Sequence, residues 1–251
     1  VVRVDYNHNT TPMVGIFIVD GEWNSILERC IKTIMEVSSY TNYHITVGLM
    51  AADETGFSSS DCLPLEIVSL PRGTKKTVAI NELVNNSLCD IIVLLDPSAV
   101  IVQGDWLQNL INHAMRKEVA CVSGKLIDFS QRIILTGITS GFSESVTLRG
   151  KNKHIKDKEH DYFSASDRNY SYLSALSLVF KRSVWKELQG LNPQMSLHLA
   201  ADIDFCIRAA EKNYAMVSTP YSVIAFDEEH LPDVFIRKDI AIEKGRRRLA
   251  I

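Results

Sequence analysis

The chain has 251 residues, with 27 Lys plus Arg against 30 Asp plus Glu and a formal net charge of −3. At 46% hydrophobic and 23% charged it has a globular composition, which excludes a disordered chain, a collagen-like repeat and a disulfide scaffold. The near-neutral balance argues against a dedicated nucleic-acid binder, which carries a basic footprint.

No apolar run approaches the ~18 residues of a membrane helix; the longest strong one is Ile91–Leu95. The N-terminus carries no signal-peptide pattern. It lacks an initiator Met and the chain stops at Ile251, which points to a domain excised from a longer protein with neighbouring domains. Five cysteines (Cys30, Cys62, Cys89, Cys121, Cys206) without CxxC spacing read as buried thiols of a reducing compartment, not a zinc site. The expected location is therefore cytoplasmic, either free or at the cytoplasmic face of a membrane.

Residues 1–12 are a polar lead-in ending at Pro12. Val14–Val19 is continuously apolar, the pattern of a buried parallel strand. Asn24 is a good N-cap for a helix carrying Ile26, Leu27, Ile31, Ile34 and Met35. Strands are expected at 44–50 and 65–70, the second closed by Pro71. A helical stripe runs from Lys75 to Leu88, and Ile91–Leu95 forms the fourth strand, ending at Asp96-Pro97. A helix over Trp106–Arg116 and a strand over 119–122 complete a βαβ alternation. That alternation predicts an α/β fold, a mostly parallel sheet flanked by helices, with ligands at the carboxyl ends of its strands.

The second half is more mixed. Strands are expected at 133–138 and 172–180, helices at 183–188 and 202–212, and extended chain over 215–226 broken at Pro220. Residues 140–170 are polar, with Lys151, Lys153, Lys156 and Lys158 among them. Such a stretch is either a solvated loop or a lid whose cations meet a diphosphate. The tail closes with Arg246-Arg247-Arg248, read as helix-end cations or a peripheral membrane contact. Trp23, Trp106 and Trp185 read as packing residues, although Trp23 is also placed to stack on a ring.

Two acidic segments carry the chemistry. Asp96 ends a buried strand, a frequent place for a metal or phosphate ligand; the alternative is a turn-forming Asp-Pro. In Ala201-Asp202-Ile203-Asp204-Phe205-Cys206-Ile207-Arg208 two carboxylates sit near a helix start. Asp202 as an N-cap and Asp204 paired with Arg208 at i, i+4 would explain them structurally. No GxGxxG follows the first strand and no GxSxG is present, which disfavours a dinucleotide oxidoreductase and a serine hydrolase.

From about Val14 to His230 the order of these segments resembles the family 2 glycosyltransferases of the GT-A fold. The best local matches are Ala79 through Leu110 and Tyr172 through Tyr214. Ala201-Asp-Ile-Asp-Phe-Cys-Ile-Arg looks like the family's Glu-Asp-x-Asp-Leu-x-x-Arg. The resemblance implies one domain over 13–230, with a nucleotide-binding half (13–125) and an acceptor-side half (126–230), followed by a tail (231–251). It implies inverting transfer of a sugar from a nucleotide-sugar donor to a glycan or glycolipid acceptor, as in polysaccharide biosynthesis of the cell envelope. Asp202 would be the general base. Asp96 would be the first acid of a motif holding Mn or Mg, followed by Ser98. Asp20, Asp53 and Asn81 would be binding residues on the donor side, and Arg208 a binding residue beside Asp202 on the acceptor side.

The chain departs from the family pattern at several of these points. The first strand ends in Val19-Asp20-Gly21-Glu22, the second carboxylate of the metal motif is Ser98, and Ala201 replaces the Glu before Asp202. The metal-binding His expected after the last strand falls near Ala225 or Phe226, with Asp227 and His230 as the nearest substitutes. A Ser hydroxyl is a weak ligand for Mg²⁺. Two readings follow: an active transferase with a non-standard donor mode, or a catalytically degenerate domain that binds glycan or a neighbouring domain.

Overall fold

The computed structural model describes residues 3, 4, 6, 8, 10–52, 56–59, 64–140, 146–156, 165–198 and 200–232. Asp53, Cys62, Lys158 and Arg246–Arg248 lie outside them.

The expected α/β architecture is present. In chain order come β1 (Val14–Asp20), α1 (Ser25–Val37), β2 (Tyr43–Ala52), β3 (Gly56–Ser59), β4 (Leu65–Pro71), α2 (Lys76–Asn86) and β5 (Ile91–Leu95). Then follow β6 (Ala99–Ile101), α3 (Trp106–Ala114), β7 (Val119–Asp128), β8 (Ile133–Leu135), β9 (Gly137–Ser140) and β10 (Val146–Arg149). The remainder is β11 (Arg168–Asn169), β12 (Ser177–Lys181), α4 (Arg182–Glu187), α5 (Ala201–Glu211), β13 (Ala215–Phe226) and a 3₁₀ turn at Glu228–His230.

Strands β5, β1, β2 and β4 pair in parallel, in that order. β1 and β5 are apolar along their length because both of their faces are covered. Beyond β5 the sheet continues through β12, antiparallel to both β5 and β7, and then β13, parallel to β7. Both halves of the sequence therefore contribute to one sheet.

Past Gly124 and Ser222, the far ends of β7 and β13 join β6 and β8 in a small extension ordered β6-β13-β7-β8. The register of β13 on β7 shifts between Thr219 and Val223. Here a Cβ on Gly124 would stand 2.5 Å from the Ser222 carbonyl oxygen, so glycine permits the close approach. The extension brings the end of β7, the end of β13 and the Asp96–Ser98 turn together.

The helices are held by specific partners. Asn24 caps α1, its Oδ1 accepting from the amides of Ile26 and Leu27 at 3.0 and 2.9 Å. At the end of α3, Lys181 Nζ donates to the carbonyls of Ala114, Arg116 and Val119, placing a cation at a helix C-terminus. Trp185 of α4 stacks on Phe180 with ring centroids 5.2 Å apart and donates to Asn85 of α2.

Several elements differ from expectation. The strand expected at 133–138 is two, β8 and β9, and only the end of 172–180 is strand. Pro220 does not break β13, because the irregularity at 219–223 absorbs it. Residues 151–156 form a turn tied to β8 rather than a free lysine flap. Asn152 donates to Ile133, whose amide donates to Lys153, and Ile155 donates to Gln131. Trp106 and Trp185 are buried, whereas Trp23 is 44% exposed. Cys30, Cys121 and Cys206 are buried free thiols and Cys89 a half-buried one.

Candidate functional site

In this sheet β2 lies on one side of β1 and β5 on the other. The chain reverses its direction of winding between β1 and β5, and such a switch point opens a crevice at the carboxyl ends of the strands. A cleft lies there, walled by Phe17 and Val19 of β1, Leu95 at the end of β5, Asp96 just after it, and Lys76 on the first turn of α2. Ala175, Leu197 and His198 close it from the second half, leaving about 10 Å³ of free space.

Asp96 is the buried charge of this cleft. Its Oδ1 accepts from the Ser98 amide at 3.0 Å and the Ser98 hydroxyl at 2.5 Å. Its Oδ2 lies 3.4 Å from His198 Nε2. Burial pushes the Asp96 carboxyl upward, but the His198 hydrogen bond and charge, the Lys76 charge and the Ser98 hydroxyl together hold it below the usual value. His198 has a φ of +63°, a conformation unusual for a residue with a Cβ.

Both Asp96 oxygens therefore face donors within the chain. No group of three or more His, Cys, Asp or Glu among the described residues could hold a metal ion. Hard cations need several oxygen ligands, so these residues do not fit a divalent metal.

The other candidates are placed as follows. Asp20 accepts from the Gly21 amide and from Asn24 Nδ2, bracing the turn into α1. Asn81 forms a two-way pair with Leu191: its Nδ2 donates to the carbonyl at 2.8 Å and its Oδ1 accepts from the amide at 2.9 Å. Arg208 grips the same bend from α5, donating to the carbonyls of Leu188 and Gly190 and to Asp204 Oδ2. Asn81 and Arg208 thus clamp one turn between two helices. Asp202 is not the N-cap of α5, which is Ala200 without a side-chain bond. Asp202 is fully buried, its Oδ2 accepting from the Ala175 amide at 3.1 Å and its Oδ1 from Ile203. Ala175 forms part of the cleft wall, so Asp202 lies directly behind that wall.

His198 and Lys76 were not singled out by sequence. Lys76 follows a helix start with no side-chain cap, and His198 lies in a chain segment without regular structure. The substitutes named for the missing His do meet: Asp227 bonds Arg29 at 2.5 Å and lies 3.3 Å from His230 Nδ1. The Asp227 amide donates to the Ser98 carbonyl at 3.1 Å, which ties the end of β13 to the Asp96 turn.

The same architecture occurs in mannosyltransferase PcManGT from Pyrobaculum calidifontis, solved with GDP-Man and Mn2+. The TM-score is 0.58 at 16% identity, over 86% of this chain and 57% of that one. It also occurs in GalNAc-T7, solved with UDP, GalNAc and Mn2+, with a TM-score of 0.67 at 11% identity over 88% of this chain and 44% of that one. The fold is GT-A. No family model matches the chain. An uncharacterized protein, y4gI, of Sinorhizobium fredii (strain NBRC 101917 / NGR234) is 26% identical over 227 residues, 87% of this chain. The chain spans 25% of that relative and about half of the two GT-A structures. No described helix is long and apolar enough to cross a membrane.

Proposed function

We propose that this GT-A domain binds a nucleotide-sugar and transfers its sugar to a glycan hydroxyl without a bound divalent metal. The observation that carries the reading is the cleft at the β1/β5 switch point, where Lys76 and His198 gather around Asp96 at the first turn of α2. A diphosphate needs cationic and N–H partners, and a helix N-terminus with a lysine offers both. In this reading the nucleotide lies against β1, and Lys76 and His198 stabilise the charge that develops on the leaving diphosphate. The acceptor hydroxyl attacks the anomeric carbon as its proton passes to Asp202, and the bond to the diphosphate breaks. The cleft is too narrow for a nucleotide as it stands, so binding requires the segment carrying His198 to move outward.

A second reading, a domain that binds glycan or a neighbouring domain without catalysis, is favoured by one observation: Asp202 is fully buried and accepts two backbone hydrogen bonds. Calorimetric titration with UDP-, GDP- and dTDP-sugars, with Mn²⁺ and with EDTA, separates the two. Micromolar binding of one donor, unchanged by EDTA, is the expected result. Absence of binding to every donor would leave the second reading, and strictly metal-dependent binding would overturn the metal-free mode.

A further inference from the structure

Asn109, Asn112, His113 and Arg116 recur at helical spacing along α3 and its closing turn, so they share one face. Asn109, Asn112 and His113 are only 5%, 8% and 4% exposed. A helix face buried against a core is ordinarily apolar, and a buried polar face needs partners. The polar lead-in supplies several of them. Arg3 donates from its guanidinium to Asn109 Oδ1 at 2.9 Å and stands 4.4 Å from the centre of the Tyr221 ring. The Tyr6 ring lies 5.2 Å from the His113 ring, and the Arg116 guanidinium stands 4.4 Å from its centre. His8 Nε2 lies 2.9 Å from the Asn112 carbonyl oxygen. About 10 Å³ of free space is left between the segment and α3, so the lead-in fills its groove. None of these residues lines the switch-point cleft.

The other wall of the groove is the irregular stretch of β13, where residues 220–222 step out of the ladder with β7. Side chains around α3 hold that stretch instead. The Tyr221 carbonyl accepts from Asn109 Nδ2 at 2.6 Å and Gln103 Nε2 at 2.7 Å, and the Val223 amide donates to Gln103 Oε1 at 3.1 Å. Arg3 binds both the Asn109 amide group and the Tyr221 ring, so it joins the helix to the stepped strand. Asp167, just before β11, lies 3.3 Å from His113 Nε2. Burial pushes its carboxyl up, but His113, Thr219 and the Arg3 charge hold it below its usual value. The Arg3 guanidinium therefore meets an aromatic face, an amide oxygen and the field of a carboxylate, a set suited to a planar, delocalised cation.

We infer that the lead-in is a clamp: Arg3 and Tyr6 dock as two anchors in a receiving groove on α3, and their docking holds the stepped stretch of β13 in place. The groove thus recognises an extended segment bearing an arginine and, three residues on, a tyrosine, and residues 3–8 of this chain are its occupant. The inference does not use the transferase reading.

Hydrogen-exchange mass spectrometry on the 251-residue chain tests it, with no donor present. Arg3→Met and Tyr6→Ala change side chains of the lead-in outside the sheet and should leave the fold intact. Each is expected to raise exchange over residues 217–226 by about threefold or more, while exchange over β1 and β5 stays native. Arg3→Lys, which keeps the charge but not the planar fork, should fall between Arg3→Met and the native chain. Arg3→Met combined with Tyr221→Leu should exchange no faster than the faster single variant, because both remove one contact. Native protection over 217–226 in Arg3→Met and Tyr6→Ala would overturn the inference. So would native protection in Arg3→Lys, a double variant whose effect is the product of the two single ones, or an equal rise over β1 and β5.

Discussion

His198 Nε2 stands 3.4 Å from Asp96 Oδ2, and the two side chains are 8% and 5% exposed. The histidine also holds a φ of +63°, which costs about 1–2 kcal/mol for a residue with a Cβ. The pairing with Asp96 offsets that cost and keeps the segment down over the cleft. Asp96→Asn removes the charge that His198 faces. We expect amide exchange across residues 195–198 to rise severalfold in this variant, since local opening follows the loss of a buried charged contact. Hydrogen-exchange mass spectrometry reads this directly, and unchanged protection would mean that other contacts hold the segment.

Lys76 tests the donor side. It lies on the exposed-to-buried boundary of α2, so Lys76→Met should leave the fold intact. Loss of one charged partner of a diphosphate is expected to weaken nucleotide-sugar binding by about tenfold. Calorimetry on the donor that binds the native chain provides the measurement. Equal affinity would place the diphosphate elsewhere.

Asp202 has two jobs to separate. In Asp202→Asn one amide hydrogen pair replaces an acceptor of the Ala175 or Ile203 N–H, at a cost of about 1–3 kcal/mol in stability. A general base contributes about 10²–10⁴-fold in rate. Turnover at a temperature well below the Tm of both proteins should therefore fall by at least about 10² while the variant stays folded. A lowered Tm with turnover retained would make Asp202 a purely structural residue.

Chain periodicity located the elements that bury continuous apolar faces. Ile91–Leu95 and the Asn24-capped helix stand where the pattern put them, because burial on both faces, or capping chemistry, leaves a local signature. Short strands of the extension did not announce themselves: β6 has three residues and exists through its pairing with β13. The site was legible in part. Asp96 and Asp202 stood out through the family resemblance of their segments; Asp96 lines the cleft, and Asp202 lies behind it, accepting from the Ala175 amide of its wall. Lys76 and His198 join them only through the crossing of α2 and the loop before α5, contacts distant in sequence. Asn81 and Arg208 carry polar side chains suited to a ligand, yet their hydrogen bonds go to the bend at 188–191. Composition alone does not separate those uses.

Gly124 marks the closest approach of β7 to the irregular stretch of β13. An added Cβ would meet the Ser222 carbonyl oxygen at 2.5 Å and its carbonyl carbon at 3.2 Å, and backbone cannot rotate away as a side chain can. Gly124→Ala should destabilise the protein by about 1–3 kcal/mol, read from urea midpoints. Gly21→Ala, where nothing lies within 4 Å, is the control and should change stability little. Equal midpoints for the two variants would show that β13 can shift without penalty.

Acid stability should follow three carboxylates. Arg29 holds Asp227 below the usual 3.8, with His230 assisting against partial burial. Burial pushes Asp96 and Asp167 up, but His198 for the first, and His113 with Thr219 for the second, hold them below 3.8. A carboxyl lowered in the folded state binds fewer protons there than in the unfolded chain. Its stabilisation is present above about pH 3.8 and disappears as pH falls through the lowered folded value. Urea midpoints should thus drop steeply below pH 3.8. Arg29→Met removes the main cause at Asp227, so the variant should be less stable than the native chain at pH 6, and the gap should narrow as pH falls below 3.8. A gap that stays constant down to pH 3 would place the contribution of Arg29 in packing against Phe129 rather than in its charge on Asp227.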